Sequence, residues 1–162
     1  MGDWAGGNLA LVLLSITSSQ ARKDGRAPVG AVAFSPVTDL ALTGESYDSR
    51  AEADPHFTKA QAAELVRSYL GKTDPQNPLA SPLYADLSGL PPVRVHVGDD
   101  EVLLDDSRSY VERAVAAGVE AKLDIWMGMP HGFFTNIGGF NAATQALNAS
   151  GAFLSERLGT TR

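Results

Sequence analysis

Val93-Arg94-Val95-His96-Val97-Gly98 reads as a strand, and the residues after it decide the fold. A helix is expected from about Asp105 to Ala117, closed by Gly118, and then a second strand from Ala121 to Trp126. The loop Met127 to Gly132 leads into a last amphipathic helix from about Phe140 to Leu158. Strand, helix and strand in alternation predict parallel βαβ units with right-handed crossovers. Upstream, the turn-rich Leu87-Ser88-Gly89-Leu90-Pro91-Pro92 precedes this unit, and the short apolar run Val29 to Pro36 reads as a strand covered on both faces. Ala5 to about Arg22 reads as a helix apolar on most sides, hence buried against a sheet, with Gly25 as its stop. Between Thr43 and Ala80 the chain turns polar and carries one amphipathic helix, Thr58 to Leu70, with Gly71 as an αL stop. The expectation is an α/β fold of about three parallel strands with flanking helices, and residues 43–80 as an excursion over the sheet.

At 162 residues and 44% hydrophobic content the chain fits one domain with a core of its own. A net charge of −6, with no basic cluster beyond Arg22-Lys23, gives no footprint for nucleic acid or an anionic membrane. Cysteine is absent, so a thiolate nucleophile and a disulfide framework are excluded, and a cytoplasmic location is only the default. The most apolar stretch, Leu9 to Ile16, is too short to span a bilayer.

Chemistry concentrates in three segments. Gly2-Asp3-Trp4-Ala5-Gly6-Gly7-Asn8-Leu9-Ala10 has the form of a nucleophile elbow with one letter changed: Gly2 and Gly6 hold the glycine positions, and Trp4 stands where the serine belongs. Gly98-Asp99-Asp100-Glu101-Val102-Leu103-Leu104-Asp105-Asp106 follows the C-terminal end of a strand, where functional groups gather in open α/β sheets. Asp105 and Asp106 are accounted for as an N-cap and a partner of the helix dipole, which leaves Asp100 and Glu101 as candidates. His131, between Pro130 and Gly132, follows the next strand, whereas His56 and His96 read as structural or solvated.

Together these segments resemble the hormone-sensitive-lipase-like carboxylesterases of the α/β-hydrolase fold, whose elbow reads Gly-Asp-Ser-Ala-Gly-Gly-Asn-Leu-Ala. Ser81-Pro82-Leu83-Tyr84 through Pro92 resembles that family's linker into the acid strand, and Pro130-His131-Gly132-Phe133 resembles its histidine motif. The resemblance runs over essentially the whole chain and implies its C-terminal half. It implies ester or lactone hydrolysis through an acyl-enzyme without metal or cofactor. His131 would be the base, and the acid would be Glu101, counted from Tyr110 and His131, or alternatively Asp100. Ala5 would supply one oxyanion N–H, and residues 43–80 would be part of a helical cap.

Two departures carry weight. Trp4 offers only an indole N–H. The His-Gly-Gly-Gly-type loop that forms much of the family's oxyanion hole does not occur in these residues, and Met1 leaves no room for the strand into the elbow. A crippled half-enzyme, a hydrolase completed by another chain or another nucleophile, and a non-catalytic binding module are therefore all open. An unpaired apolar edge implies a homodimer or a complex with an N-terminal half.

Overall fold

The computed structural model describes residues 1–24 and 28–159, so that Gly25, the expected helix stop, lies outside the described residues. Among them β1 (Gly2–Asp3), β2 (Ala31–Phe34), β3 (Val93–Gly98) and β4 (Ala121–Trp126) form one parallel sheet in the order β1-β2-β3-β4. The fourth strand corrects the expectation that nothing precedes the elbow. A strand of two residues is enough to pair Gly2 with Ala33 and Asp3 with Phe34.

Helices α1 (Trp4–Asp24) and α4 (Leu104–Ala116) cover one face of the sheet, and α5 (Asn141–Arg157) covers the other. Alternate residues of β3 point to opposite faces, so Val93 and Val95 pack with Leu11, Leu14, Tyr110 and Ala114. On the α5 side Val32 and Phe34 meet Phe133 and Ala146. Ser35 ends β2 ahead of Pro36 by taking a positive φ of 42°.

Helix α1, expected to be apolar on most sides and buried against a sheet, buries only part of that apolar surface. Leu11, Val12 and Leu14 are buried, but Leu9, Leu13 and Ile16 are 56%, 58% and 43% exposed. The spacing of these three places them on one stripe, away from the sheet. No helix of the described residues is long and apolar enough to cross a membrane.

Between β2 and β3 the chain carries α2 (Ser46–Ser49) and α3 (Lys59–Leu70). Thr58 and Gln61 close a reciprocal capping box at the start of α3, with the Thr58 N–H donating to Gln61 Oε1 at 3.0 Å. Gly71 stops α3 with φ 58° and ψ −103°, outside the αL region that had been expected. Helix α3 buries none of its residues and lies as an overhang above Val37, Leu40, Tyr47, Val102 and Leu103.

Candidate active site

The C-terminal ends of β1, β3 and β4 bring three loops together. Glu101 follows β3 and is fully buried; its Oε1 accepts from the Gly98 N–H at 2.6 Å and from the Ser35 hydroxyl at 2.7 Å. Its Oε2 lies 2.9 Å from Nδ1 of His131, whose side chain is 11% exposed. Two donors besides the imidazole hold this carboxylate, which offsets much of the cost of burying it. In the neutral ring, an Nδ1–H directed at the carboxylate leaves Nε2 as the nitrogen with the free lone pair.

Asp100 sits beside this pair without joining it. Its backbone N–H donates to the Met129 carbonyl at 3.3 Å, and the carboxylate within hydrogen-bond reach of His131 is that of Glu101. The same crossing explains Gly98, because a Cβ there would stand 1.9 Å from the Met129 oxygen and 3.2 Å from Glu101 Oε1.

At the elbow Trp4 has φ 43°, a left-handed conformation that costs a non-glycine residue about 1–3 kcal/mol. Gly2 is required by space, since its Cβ would meet the Gly6 carbonyl oxygen at 2.2 Å. The second tight glycine is Gly7 rather than the expected Gly6: a Cβ on Gly7 would press on Pro36 at 3.0 Å, while one on Gly6 would have only ordinary contact. Asn8 locks the helix in place, its amide donating to the carbonyls of Val37 at 2.8 Å and Ala80 at 2.7 Å. Ala5 is in the exposed first turn of α1.

The Trp4 indole stacks on Phe57, with ring centroids 4.9 Å apart, and Phe57 meets His131 edge-on at 5.0 Å. Asp54 fixes Phe57, accepting the N–H groups of His56 and Phe57 on Oδ1 and that of Val102 on Oδ2. On the far side of Trp4 and Phe57 lies a half-open cavity of about 250 Å³.

Three carboxylates have roles other than those expected or none that was expected. Asp106 is not a solvated dipole partner: it is buried, and its Oδ2 accepts from the N–H groups of Thr38 at 2.7 Å and Asp39 at 2.9 Å. Burial pushes its pKa up to about 7. Asp105 accepts from Ser46 N–H at 2.8 Å, and the residue that precedes α4 is Leu103, with no side-chain cap. Asp124 faces Arg94, 2.6 Å away on β3. His96 lies on the α5 side of the sheet, buried between the Trp126 indole, which donates to Nδ1 at 3.2 Å, and Ser150 Oγ, 3.1 Å from Nε2. Ser150 donates its own proton to the Ala146 carbonyl, so Nε2 of His96 carries hydrogen and Ser150 cannot be activated by it. His56 is exposed.

Ser35, Asp54 and Phe57 were not singled out from the sequence. Ser35-Pro36 at the end of an apolar run was the available signal for the first, and Asp54 and Phe57 sit in a polar stretch with no distinguishing pattern.

The sequence profile of the family described as alpha/beta hydrolase fold matches residues 1–135. The chain is 37% identical to an acetyl-hydrolase of Streptomyces hygroscopicus over 94% of its own length and 50% of that protein's. It is also 37% identical to an esterase of Acinetobacter venetianus, over 90% of this chain and 48% of the relative. A crystal structure of an esterase from the bacterial hormone-sensitive lipase family superposes with a TM-score of 0.89 at 43% identity, covering 96% of this chain and 52% of that one. The chain belongs to the α/β-hydrolase fold family. Within it the relatives are ester hydrolases, and the superposed structure is that of a hormone-sensitive lipase family esterase. The chain spans about half the length of the curated relatives it matches.

Proposed function

We propose that the chain is a single partial α/β-hydrolase domain, with residues 43–80 as part of a cap, that carries the acid and base of an ester-hydrolysing triad but not its nucleophile. The observation that carries this reading is the 2.9 Å contact of Glu101 with His131 Nδ1, beside an elbow whose position 4 has φ 43°. In a complete site of this kind Glu101 fixes the imidazole tautomer and stabilises its protonated form, and Nε2 of His131 takes the proton of a nucleophile at position 4. The nucleophile's oxygen then adds to the ester carbonyl, and the Ala5 N–H shares the developing oxyanion. Collapse expels the alcohol with the proton from His131, and a water activated by the same nitrogen releases the acyl group.

The indole of Trp4 halts this sequence at its first step. It has an N–H donor and no lone pair suited to attack. The substrate class would be small uncharged esters or lactones, with no cofactor. Other serines are poor substitutes: Ser18 is buried in α1, and Ser107 is buried in α4 near the carboxylates.

The exposed stripe of α1 and the two-residue edge strand β1 support a second component of the reading. A protein surface, either a second copy of this chain or an N-terminal half of the family's fold, covers this side.

Hydrolysis of p-nitrophenyl acetate tests the proposal. The unmodified chain should not exceed a Glu101→Gln/His131→Ala control. Trp4→Ser alone should recover little, because each absent oxyanion donor is worth about 10²–10³ in rate. Trp4→Ser mixed with the N-terminal half of a homologous esterase should give saturable, His131-dependent turnover. Such turnover by the unmodified chain would overturn the reading.

A further inference from the structure

Val102, the residue after Glu101, has both polar groups of its backbone held by the excursion between β2 and β3. Its N–H donates to Asp54 Oδ2 at 2.9 Å, and its carbonyl accepts the Ser46 hydroxyl at 2.6 Å. Asp54 is buried and uses its other oxygen locally. Oδ1 accepts the N–H groups of His56 at 2.8 Å and Phe57 at 3.0 Å, an Asx turn across Pro55 that fixes where the Phe57 side chain leaves the backbone. The Phe57 ring then stands edge-on to His131, with centroids 5.0 Å apart. One side chain thus reaches both members of the acid–base pair through one intermediate each. Glu101 is reached through the next peptide of its own turn, and His131 through an aromatic contact.

We propose that Asp54 is a positioning residue for the acid–base pair, setting the Glu101 turn with one oxygen and the packing of the His131 ring with the other. The proposal rests on the reading that Glu101 and His131 are that pair. Gly98 and Ser35 hold Oε1 of Glu101, so the side chain is anchored at its tip, and its backbone end is set by where its turn lies. Asp54 fixes that turn from 48 residues away in sequence. On the other side His131 sits in a loop with Nδ1 bonded to Glu101, and an aromatic ring against the imidazole limits its rotation. Such restraint matters because a misplacement of about 1 Å can cost on the order of 10²-fold in rate. The residue type follows from the donors. Three N–H groups approach from two sides, and a carboxylate accepts on both oxygens, whereas an asparagine accepts on one.

The test follows the proton that Nδ1 of His131 shares with Glu101, which a carboxylate partner moves far downfield of amide protons in the NMR spectrum of the intact chain. The signal is assigned by its absence from His131→Ala. In Asp54→Ala it should be lost while circular dichroism stays that of the parent. Asp54→Asn keeps an acceptor for the His56 and Phe57 N–H groups but turns an amide NH2 toward that of Val102. Being isosteric, it carries the test should the alanine variant unfold, and its signal should be weaker than the parent's or shifted from it. Gly118→Ala is strained at the opposite end of β4 from His131 and should keep the signal, which separates positioning from a general loss of stability. A signal unchanged in either folded Asp54 variant, or lost in Gly118→Ala as well, would overturn the proposal. A parent chain without the signal would sink the Glu101–His131 reading and the proposal with it, so the two failures are distinguishable.

Discussion

The Ser35 hydroxyl donates to Glu101 Oε1 at 2.7 Å, across 66 residues of sequence, and both side chains are fully buried. The bond ties the end of β2 to the loop after β3 and fixes the carboxylate from the side opposite His131. Ser35 holds this position at φ 42°, so its backbone is strained in favour of its side chain.

Ser35→Ala should therefore cost about 1.5–3 kcal/mol, the range for a hydrogen bond to a charged group, and keep the strain. Ser35→Gly loses the same bond but relaxes the backbone, and should be less destabilised than the alanine variant by about 1 kcal/mol. Urea midpoints of the three proteins check the order. Equal stability of the alanine variant and the parent would remove Ser35 from the support of Glu101.

Gly98 and Gly118 separate two reasons for a glycine. Gly98→Ala forces Cβ to within 1.9 Å of the Met129 oxygen and must displace the loop that carries His131. Gly118→Ala meets nothing within 4 Å and suffers only its φ of 81°. The first should unfold the chain or lower its stability by several kcal/mol, and the second should cost about 1–2 kcal/mol. Thermal melts of both variants decide, and comparable losses would mean that the crossing of the two loops yields easily.

The βαβ core was legible because its signals are local: apolar runs of strand length, a helix closed by Gly118, and a strand after it. That a carboxylate after β3 would approach His131 was legible for a related reason, as two consecutive strand ends in a parallel sheet emerge at the same edge, while the choice of Glu101 over Asp100 came from the family resemblance. Ser35 and Asp106 were not, because their roles depend on partners 66 to 68 residues away. Local capping rules assigned Asp106 to the helix dipole, and the unpaired N–H groups of Thr38 and Asp39 took it inward instead. Periodicity likewise gave α1 an apolar surface on most sides without saying which side meets the sheet, and the stripe of Leu9, Leu13 and Ile16 is the part left over. Two residues of β1 were too few for any pattern.

Acid should weaken the fold through His96. Burial lowers its pKa from 6.5 to about 4, with Asp124 opposing and Arg94 and Lys122 reinforcing the shift. Since the unfolded chain binds this proton more readily between pH 6.5 and 4, stability is fully present above 6.5 and falls as pH drops through that window. The loss is on the order of 3 kcal/mol. Asp106 acts in the opposite direction: raised to about 7, its carboxyl is protonated more readily in the folded state and favours folding as pH falls from 7 toward 3.8. His96→Gln isolates the first effect. Urea unfolding at pH 7.0 and 4.5 should show a stability change that is more favourable to the variant than to the parent as pH falls, and identical pH dependence would refute the assignment.

Self-association is the expected state of the isolated 162-residue chain. Leu9 and Leu13 are more than half exposed on one stripe of α1, the helix that follows β1, and β1 is an edge strand of the sheet formed by the described residues. Apolar surface and an open strand edge together favour pairing with another protein surface, because burial gains roughly 25 cal/mol per Å² while the edge completes its hydrogen bonds. Sedimentation at micromolar concentration should show dimers or larger species. Leu9→Lys/Leu13→Lys leaves the buried side of α1, with Leu11 and Leu14, intact. It should shift the population toward monomer with unchanged circular dichroism. Adding the N-terminal half of a homologous esterase to the parent should displace the self-associated form in favour of a one-to-one complex. A parent chain that sediments as a folded monomer and ignores the added half would show that this face needs no cover.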